Sequence, residues 1–469
     1  MSSMNNTIPI IEQLDNFMKQ YNINLSNLAQ LANMNAGTLS AVFNKNKILT
    51  VDHLDRLTKI MNLPDGYFYE QYIHDYLKNT TLNWRRIRPF LYRCVELNKL
   101  DCTQQVVNLL LESLLYPPLL FEVAEDCFQN SKPMAAALLF ESVASSEKHQ
   151  HSERLAFCQY RLFLLKQGKD QLQNYKAAVQ FEPFIDRLNE IDQLDALKDL
   201  ANTYRSLHKW NKLEEITIIL EHKGKIQYKC FHNQDKKDNL TQKKPGRPLF
   251  FYLAYANLLR ACVYEAQKNY KQALKFTNSY AELTWVNETD PDTIHWINLF
   301  QEWAQSNTYT YQLLGGDITI LPKYIEYIEP KKDEILPALF NIIEAANRFN
   351  FCVDDILQRF ESHINIYIED QHTIGLYTDQ IIANAFTDFL LELAIYYFHR
   401  NMYPEGFKYL LTCLELSSKI NKRTCIIKSV GLFELYRYAA STETMTTYQN
   451  LVNEVYVNEK EKITTFFEG

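Results

Sequence analysis

Apolar residues recur at helical spacing through the first 78 residues, and this pattern predicts five helices. The second and third helices are joined by Met34–Gly37, whose residues favour a turn. Two short helices joined by a tight link are typical of a helix-turn-helix unit. The five predicted helices are Ile8–Tyr21, Leu25–Asn33, Asn35–Asn44, a helix with Thr50 as its N-cap, and Tyr67–Leu77.

From residue 90 onward, a template repeats along the helical pattern. A small residue is followed by a ring or thiol three positions later, a turn residue six positions further, and another residue three positions after that. Small residues let two helices approach closely, and aromatic side chains fill the space between neighbouring helical pairs. The template therefore predicts an α-solenoid of degenerate helical hairpins. Its matches are Ala124-Cys127-Pro133-Ala136, Ala201-Tyr204-Trp210-Leu213, Ala261-Tyr264-Tyr270-Ala273 and Ala394-Tyr397-Tyr403-Gly406.

Polar and proline-containing stretches between the helical windows suggest how the chain is divided. The basic segment Trp84–Arg88 either contacts DNA phosphates or packs one domain on the other. The segment that ends in Pro245-Gly246 and Pro248 is polar and charged, and it predicts an exposed loop. The predicted parts are a helix-turn-helix domain (1–78), a linker (79–89), a helical repeat domain (90–460, with the exposed loop at 223–248) and a tail (461–469).

Composition supports an all-α protein, because the chain of 469 residues has only 11 glycines and is 46% apolar. The net charge of −7 excludes a nonspecific nucleic-acid binder. Residues 1–63 carry five lysines and arginines against four acids, so they are about +1. This sign difference favours DNA binding at the amino-terminal end.

The nine cysteines are scattered without metal-ligand spacing, and several lie on apolar helical positions, such as Cys94, Cys102, Cys127 and Cys158. We expect buried, reduced thiols and no metal or other cofactor. No signal peptide and no apolar run long enough for a membrane span is evident, so a cytoplasmic protein is expected. The common catalytic motifs are missing from the sequence, and an enzyme is not expected.

The third predicted helix would enter the major groove of double-stranded DNA. Asn can pair with adenine edges, and Thr or Ser can bond bases or phosphates. Because this helix contains no arginine, each monomer would bind modestly and a homodimer is expected. The predicted DNA-binding residues are Asn35, Gly37, Thr38, Ser40, Ala41, Asn44, Lys45 and Lys47, with the two lysines meeting the backbone.

The repeat domain offers candidate peptide-binding residues on its concave side. The residue just after each small template residue should point there, which selects Asn202 and, in a looser repeat built on Ala346, Asn347. Asparagine can bond both the N–H and the C=O of an extended peptide. Arg205 and Asn350 lie one helical turn further on and complete the prediction.

Two stretches resemble known families. The run LSNLAQLANMNAGTLSAVFNKNKILTVDHLDRLTKIMNLP resembles the phage-repressor (Xre/Cro-like) helix-turn-helix family, with Leu25 where that family often has a DNA-contacting glutamine. The runs ANTYRSLHKWNKL, ACVYEAQKNYKQAL and AIYYFHRNMYPEGF resemble the tetratricopeptide repeat. Together they resemble the peptide-pheromone-responsive regulators, the group that contains PlcR, NprR and the Rap proteins.

This resemblance implies a transcription regulator of the quorum-sensing type. A short signalling peptide would bind the repeats and alter the geometry of two DNA-binding domains. The alternative is an interaction scaffold, in which the repeats bind a partner protein and the amino-terminal helices dock on a partner without contacting DNA. Leu25 and the small local charge favour the alternative.

Overall fold

A computed structural model describes residues 9–44, 47–148, 152–233, 244–369 and 379–467. These residues form helices and contain no β-strand, which confirms the all-α expectation. They fall into two compact units, divided between Leu165 and Lys166.

The described part of the first unit contains ten α-helices and one π-helical segment. Side-chain caps define several starts, since Asn24, Asn35 and Thr50 each accept a hydrogen bond from the backbone N–H three residues later. The helices are α1 (Ile10–Tyr21), α2 (Leu25–Leu31), α3 (Ala36–Phe43), α4 (Val51–Ile60), α5 (Tyr69–Tyr72, continued by the π-helical Ile73–Leu77), α6 (Trp84–Glu96), α7 (Leu100–Leu110), α8 (Pro117–Gln129), α9 (Pro133–Ser146) and α10 (Glu153–Leu165).

The second unit continues with fourteen α-helices in its described part. Most of them contact the next helix along the chain, as expected for stacked helical pairs. They are α11 (Gln171–Phe181), α12 (Glu190–Ser206), α13 (Trp210–Asn233), α14 (Leu249–Ala266), α15 (Tyr270–Ala281), α16 (Pro291–Leu314), α17 (Leu321–Ile328), α18 (Lys332–Phe349), α19 (Asp354–Arg359), α20 (Glu361–Glu369), α21 (Asp379–His399), α22 (Tyr403–Lys419), α23 (Arg423–Tyr436) and α24 (Thr442–Phe467).

The predicted linker at 79–89 is wrong for its second half, because α6 begins at Trp84 and passes through Pro89. The face of α6 that carries Ile87, Phe90 and Cys94 is buried, and this burial outweighs the one backbone hydrogen bond that proline cannot make.

The predicted domain boundary at residue 78 also differs from the structure. The Phe90 ring lies 4.9 Å from Tyr69, and Arg93 Nε bonds Asp55 Oδ2 at 2.8 Å. These contacts join α6 to the first helices within one unit. The Trp84 ring lies 6.3 Å from Tyr116. This favours a packing role for the basic segment.

The exposed loop predicted at 223–248 is wrong over residues 223–233, which continue α13. Gly224 is buried, and a Cβ there would lie 3.4 Å from Leu253 on α14. Further along α13, the Tyr228 hydroxyl donates to Glu288 Oε2 at 3.2 Å, so the polar end of the helix also has partners. Residues 234–243 of the prediction lie outside the described residues, and residues 244–248 are not helical. At the other end of the unit, α24 runs through most of the predicted tail.

The small residues of the template are buried where helices meet, as the pattern predicts. Ala124, Ala201, Ala261 and Ala394 are fully buried. At Gly406 the approach is tighter still, because a Cβ would lie 2.7 Å from the Phe398 ring. Close helix packing is therefore a property of these positions.

Five helices of the second unit contact one another in a closed circle, which we call the ring. In order around the ring they are α12, α14, α16, α18 and α21, and α21 returns to contact α12. The repeat template predicts stacking between neighbours, but it does not predict this closure. The contact between α21 and α12 closes the circle, although these helices lie far apart in the sequence.

The reactivity of the cysteine thiols tests how the helices pack. Seven thiols are buried, whereas Cys230 and Cys352 are exposed. Burial also raises the pKa of Cys127 to about 11, which disfavours the reactive thiolate. In native protein we expect two thiols to react with Ellman's reagent roughly a hundredfold faster than the other seven. Changing both exposed cysteines to serine should abolish the fast phase, and a third fast thiol would contradict the packing.

Candidate functional site

Helices α2 and α3 form a compact pair whose turn is fixed by short-range hydrogen bonds. The backbone N–H of Met34 donates to Ala29 O at 2.8 Å, and Asn33 has a φ of 48°. Asn35 Oδ1 then accepts from Thr38 N at 3.2 Å and starts α3. A Cβ at Gly37 would lie 3.1 Å from the same Oδ1 atom, so glycine leaves room for this cap.

The predicted DNA-binding residues differ in how far they are exposed around α3. Leu39 and Val42 are buried and anchor the helix. Asn35, Gly37, Asn44 and Lys47 are exposed, whereas Thr38, Ser40 and Ala41 are half-buried. Lys45 lies outside the described residues. The exposed surface is therefore made of small and polar side chains, and the Oδ1 atom of Asn35 is already used as the helix cap.

The sequence analysis missed Arg56 on α4. Its guanidinium donates to Asn33 O at 2.7 Å and pairs with Asp52 at 2.9 Å, so it ties α4 to the turn between α2 and α3. This contact spans 23 residues. The helical periodicity of α4 gives no signal for it.

In the second unit, Asn202 and Asn347 both lie on ring helices and bond to the neighbouring ring helix. Asn202 Oδ1 accepts a hydrogen bond from the Tyr255 hydroxyl of α14. Asn347 Nδ2 donates to the backbone oxygen and to Oε2 of Glu392 on α21, both at 2.9 Å. Both asparagine side chains are thus engaged within the ring.

Asn350 lies at the end of α18, three residues after Asn347. It ends α18 in the left-handed conformation, with a φ of 55°, and it is exposed. Asparagine tolerates this conformation better than most residues. The spacing of one helical turn from Asn347 is therefore interrupted by the helix end.

Charged groups from several ring helices influence one another near Asn202 and Asn347. Burial raises the pKa of Glu265 on α14 to about 7, and the charge of Arg205 on α12 offsets part of this rise. Glu344 on α18 raises the pKa of Glu265 further. Burial also raises the pKa of Glu344, with an additional rise from Glu392. These interactions connect α12, α14, α18 and α21.

We call the polar and charged residues of the ring that bond to or influence one another in this way the central polar cluster. The hydroxyl of Tyr311 on α16 donates to Glu265 Oε2 at 3.2 Å, so every ring helix contributes to it. Glu265 follows Ala261 by four residues, just as Arg205 follows Ala201, and the template could therefore have identified it. Glu344, Glu392 and Tyr311 have no such signal. The cluster comprises Asn202, Arg205, Glu265, Tyr311, Glu344, Asn347 and Glu392.

The cluster offers hydrogen-bond donors and acceptors of both charge signs, which suits binding of a polar main chain or charged end groups. Across the part of the chain that the structure describes, no three His, Cys, Asp or Glu side chains are placed to hold a metal ion. Within the same ranges, each helix is too short or too polar to cross a membrane.

The fold and the cluster define an all-helical protein with a closed ring of repeats. No family model matches the chain, and no curated protein matches it. Among solved structures, it is similar to a circular tandem repeat protein with novel repeat topology and enhanced subunit contact surfaces. The similarity has 10% identity and a TM-score of 0.19, over 96% of this chain and 99% of the other. At this level, a functional assignment depends on the residues of this chain.

Proposed function

We propose that the chain is a DNA-binding transcription regulator whose second unit senses a short peptide or a partner protein. The observation that carries the proposal is the α2–α3 pair, with its capped turn and its small, polar exposed surface. A surface of this kind suits contact with base edges, and the exposed Lys47 beyond α3 suits a phosphate.

The central polar cluster supports the sensing part of the proposal. Asparagine side chains that already bond a main-chain oxygen, as Asn347 does at Glu392, have the chemistry that holds an extended peptide. A ligand that replaces these contacts would change how the ring helices pack. We propose that this change controls the geometry of a homodimer and thereby its fit to paired half-sites.

The resemblance to Xre/Cro-like domains and to tetratricopeptide repeats supports the same proposal. By that resemblance, the chain would act like the peptide-pheromone-responsive regulators, with double-stranded DNA and a short secreted peptide as its partners. DNA capture from the genome, with and without conditioned medium, tests both halves of the proposal together.

A charge reversal at Lys47 gives the direct test of DNA binding. For Lys47→Glu we expect affinity for captured fragments to fall roughly tenfold or more, because an attraction to phosphate becomes a repulsion. The matched control is Lys19→Glu on α1, where the lysine is exposed and pairs with Asp15 at 2.5 Å. The control should bind like the wild type in gel shifts. Equal loss in both variants would show only a general charge effect and would contradict the assignment of α3.

An interaction scaffold is the second candidate. Leu31, at the end of α2, is 60% exposed, and an apolar side chain there suits a protein partner better than DNA. If the wild-type chain retains no DNA at low salt, the scaffold becomes the better assignment. Leu31→Ser should then weaken partner capture, while Lys47→Glu should leave it unchanged.

A further inference from the structure

The ring closes where the beginning of the second unit meets its end, and we call this joint the seam. Asn384 Nδ2 on α21 donates to the backbone oxygen of Ser206 on α12 at 2.5 Å, across a separation of 178 residues. The backbone N–H of Gln171 donates to Ile420 O at 2.8 Å. Asn421 donates to Asp170 close by. The seam therefore joins two segments that are distant in sequence.

A buried lysine organises one side of the seam. Lys422 is 6% exposed, and its ammonium group donates to Asn384 O at 2.9 Å and Thr387 Oγ1 at 3.2 Å. It also pairs with Asp388 Oδ1 at 2.7 Å. The other oxygen of Asp388 lies 3.6 Å from His208 Nε2, just beyond α12. Lys422 thus holds both the residue that bonds Ser206 and the carboxylate that faces His208.

The seam is chemically different from another joint of the ring. Between α14 and α16, aromatic rings contact one another, with Phe251 at 4.7 Å from Trp296 and 5.5 Å from Phe300. Separating those rings would expose apolar surface to water. The hydrogen bonds and the ion pair of the seam can instead be replaced by bonds to water, so their net contribution is smaller. Of these two joints, the seam is therefore the weaker.

We propose that the ring opens and closes reversibly at the seam. The central polar cluster lies directly beside it, since Arg205 precedes Ser206 on α12 and Glu392 follows Asp388 by one turn on α21. Opening separates these helices and uncovers Arg205 and Glu392. A ligand that binds them better in the open ring than in the closed ring shifts the balance between the two states. This last step rests on the proposed sensing function, whereas the opening itself does not.

Hydrogen exchange of the full chain without ligand tests the opening. Lys422→Met keeps most of the unbranched side chain but removes its ammonium group and charge. We expect at least a tenfold faster exchange in the carboxyl-terminal half of α12 and in the described part of α21. Exchange in α14 and α16 should stay unchanged. Asn307→Leu is the matched control, since it removes the 2.7 Å bond from ring helix α16 to the Tyr280 hydroxyl of α15, away from the seam.

Two results would overturn the proposal. Exchange that rises equally throughout the second unit in Lys422→Met would show that the seam belongs to one cooperative core. Exchange that is unchanged at the seam would show that the joint stays closed without Lys422. Should Lys422→Met fail to fold, the same exchange rates are compared in His208→Ala. The His208 side chain is 45% exposed, so its removal leaves the buried core intact. Since no ligand is used, failure of the opening and failure of the proposed sensing are separate results.

Discussion

Gly406→Ala is expected to lower the free energy of unfolding by about 1 to 3 kcal/mol, as overpacked core positions do. The new Cβ would lie 2.7 Å from the Phe398 ring. That ring cannot easily move, because it is buried and stacks on Tyr436 with ring centroids 4.4 Å apart. Urea denaturation of the full chain measures the change.

Gly431→Ala provides the matched control for this prediction. Gly431 lies inside α23, and apart from its two chain neighbours and the adjacent backbone of its own helix, no atom lies within 4 Å of the position that its Cβ would take. Alanine should raise stability there by up to about 1 kcal/mol, because it favours a helix more than glycine does. Similar effects of the two substitutions would contradict the close contact between α21 and α22 at Gly406.

Glu265→Gln is expected to flatten the pH dependence of stability between pH 5 and pH 8. Burial raises the pKa of Glu265 from 4.5 to about 7, so the folded chain holds this proton more tightly than the unfolded chain does. The contribution of protonated Glu265 to the free energy of unfolding is therefore complete below pH 4.5 and is lost as the pH rises to about 7. Relative to Glu265→Gln, the wild type should lose on the order of 1 to 3 kcal/mol over this interval.

The measurement compares urea denaturation at pH 5 and pH 8 for both proteins. Glutamine keeps a side-chain oxygen that can accept from the Tyr311 hydroxyl, so the substitution removes mainly the charge. Glu326→Gln, at an exposed position of α17, controls for changing any glutamate. Parallel pH profiles of wild type and Glu265→Gln would contradict the burial of this carboxyl group.

Local sequence signals were sufficient for much of the fold. Asn24, Asn35 and Thr50 begin helices because a capping side chain acts within three residues. The small template residues are buried because helix contact requires their size. In both cases, the cause and its effect lie within a few positions of the chain.

The features that the sequence did not predict depend on distant partners. Helix α6 passes Pro89 because its apolar face is buried in the first unit. The polar end of α13, which reaches Asn233, contacts Leu253 through Gly224 and Glu288 through Tyr228. The template selected Asn202 and Asn347 from their register. It could not give their partners Tyr255 and Glu392, which lie 53 and 45 residues away.

The closure of the ring constrains how the protein is made. During translation, α12 emerges from the ribosome long before α21 and Lys422 are synthesised. The second unit therefore cannot finish folding until late in synthesis. During this interval the edge of α12 that later meets Asn384 is uncovered and open to chaperones or to another nascent chain. Chains that stop before residue 384 would keep this uncovered edge, and they should be degraded faster than the complete protein.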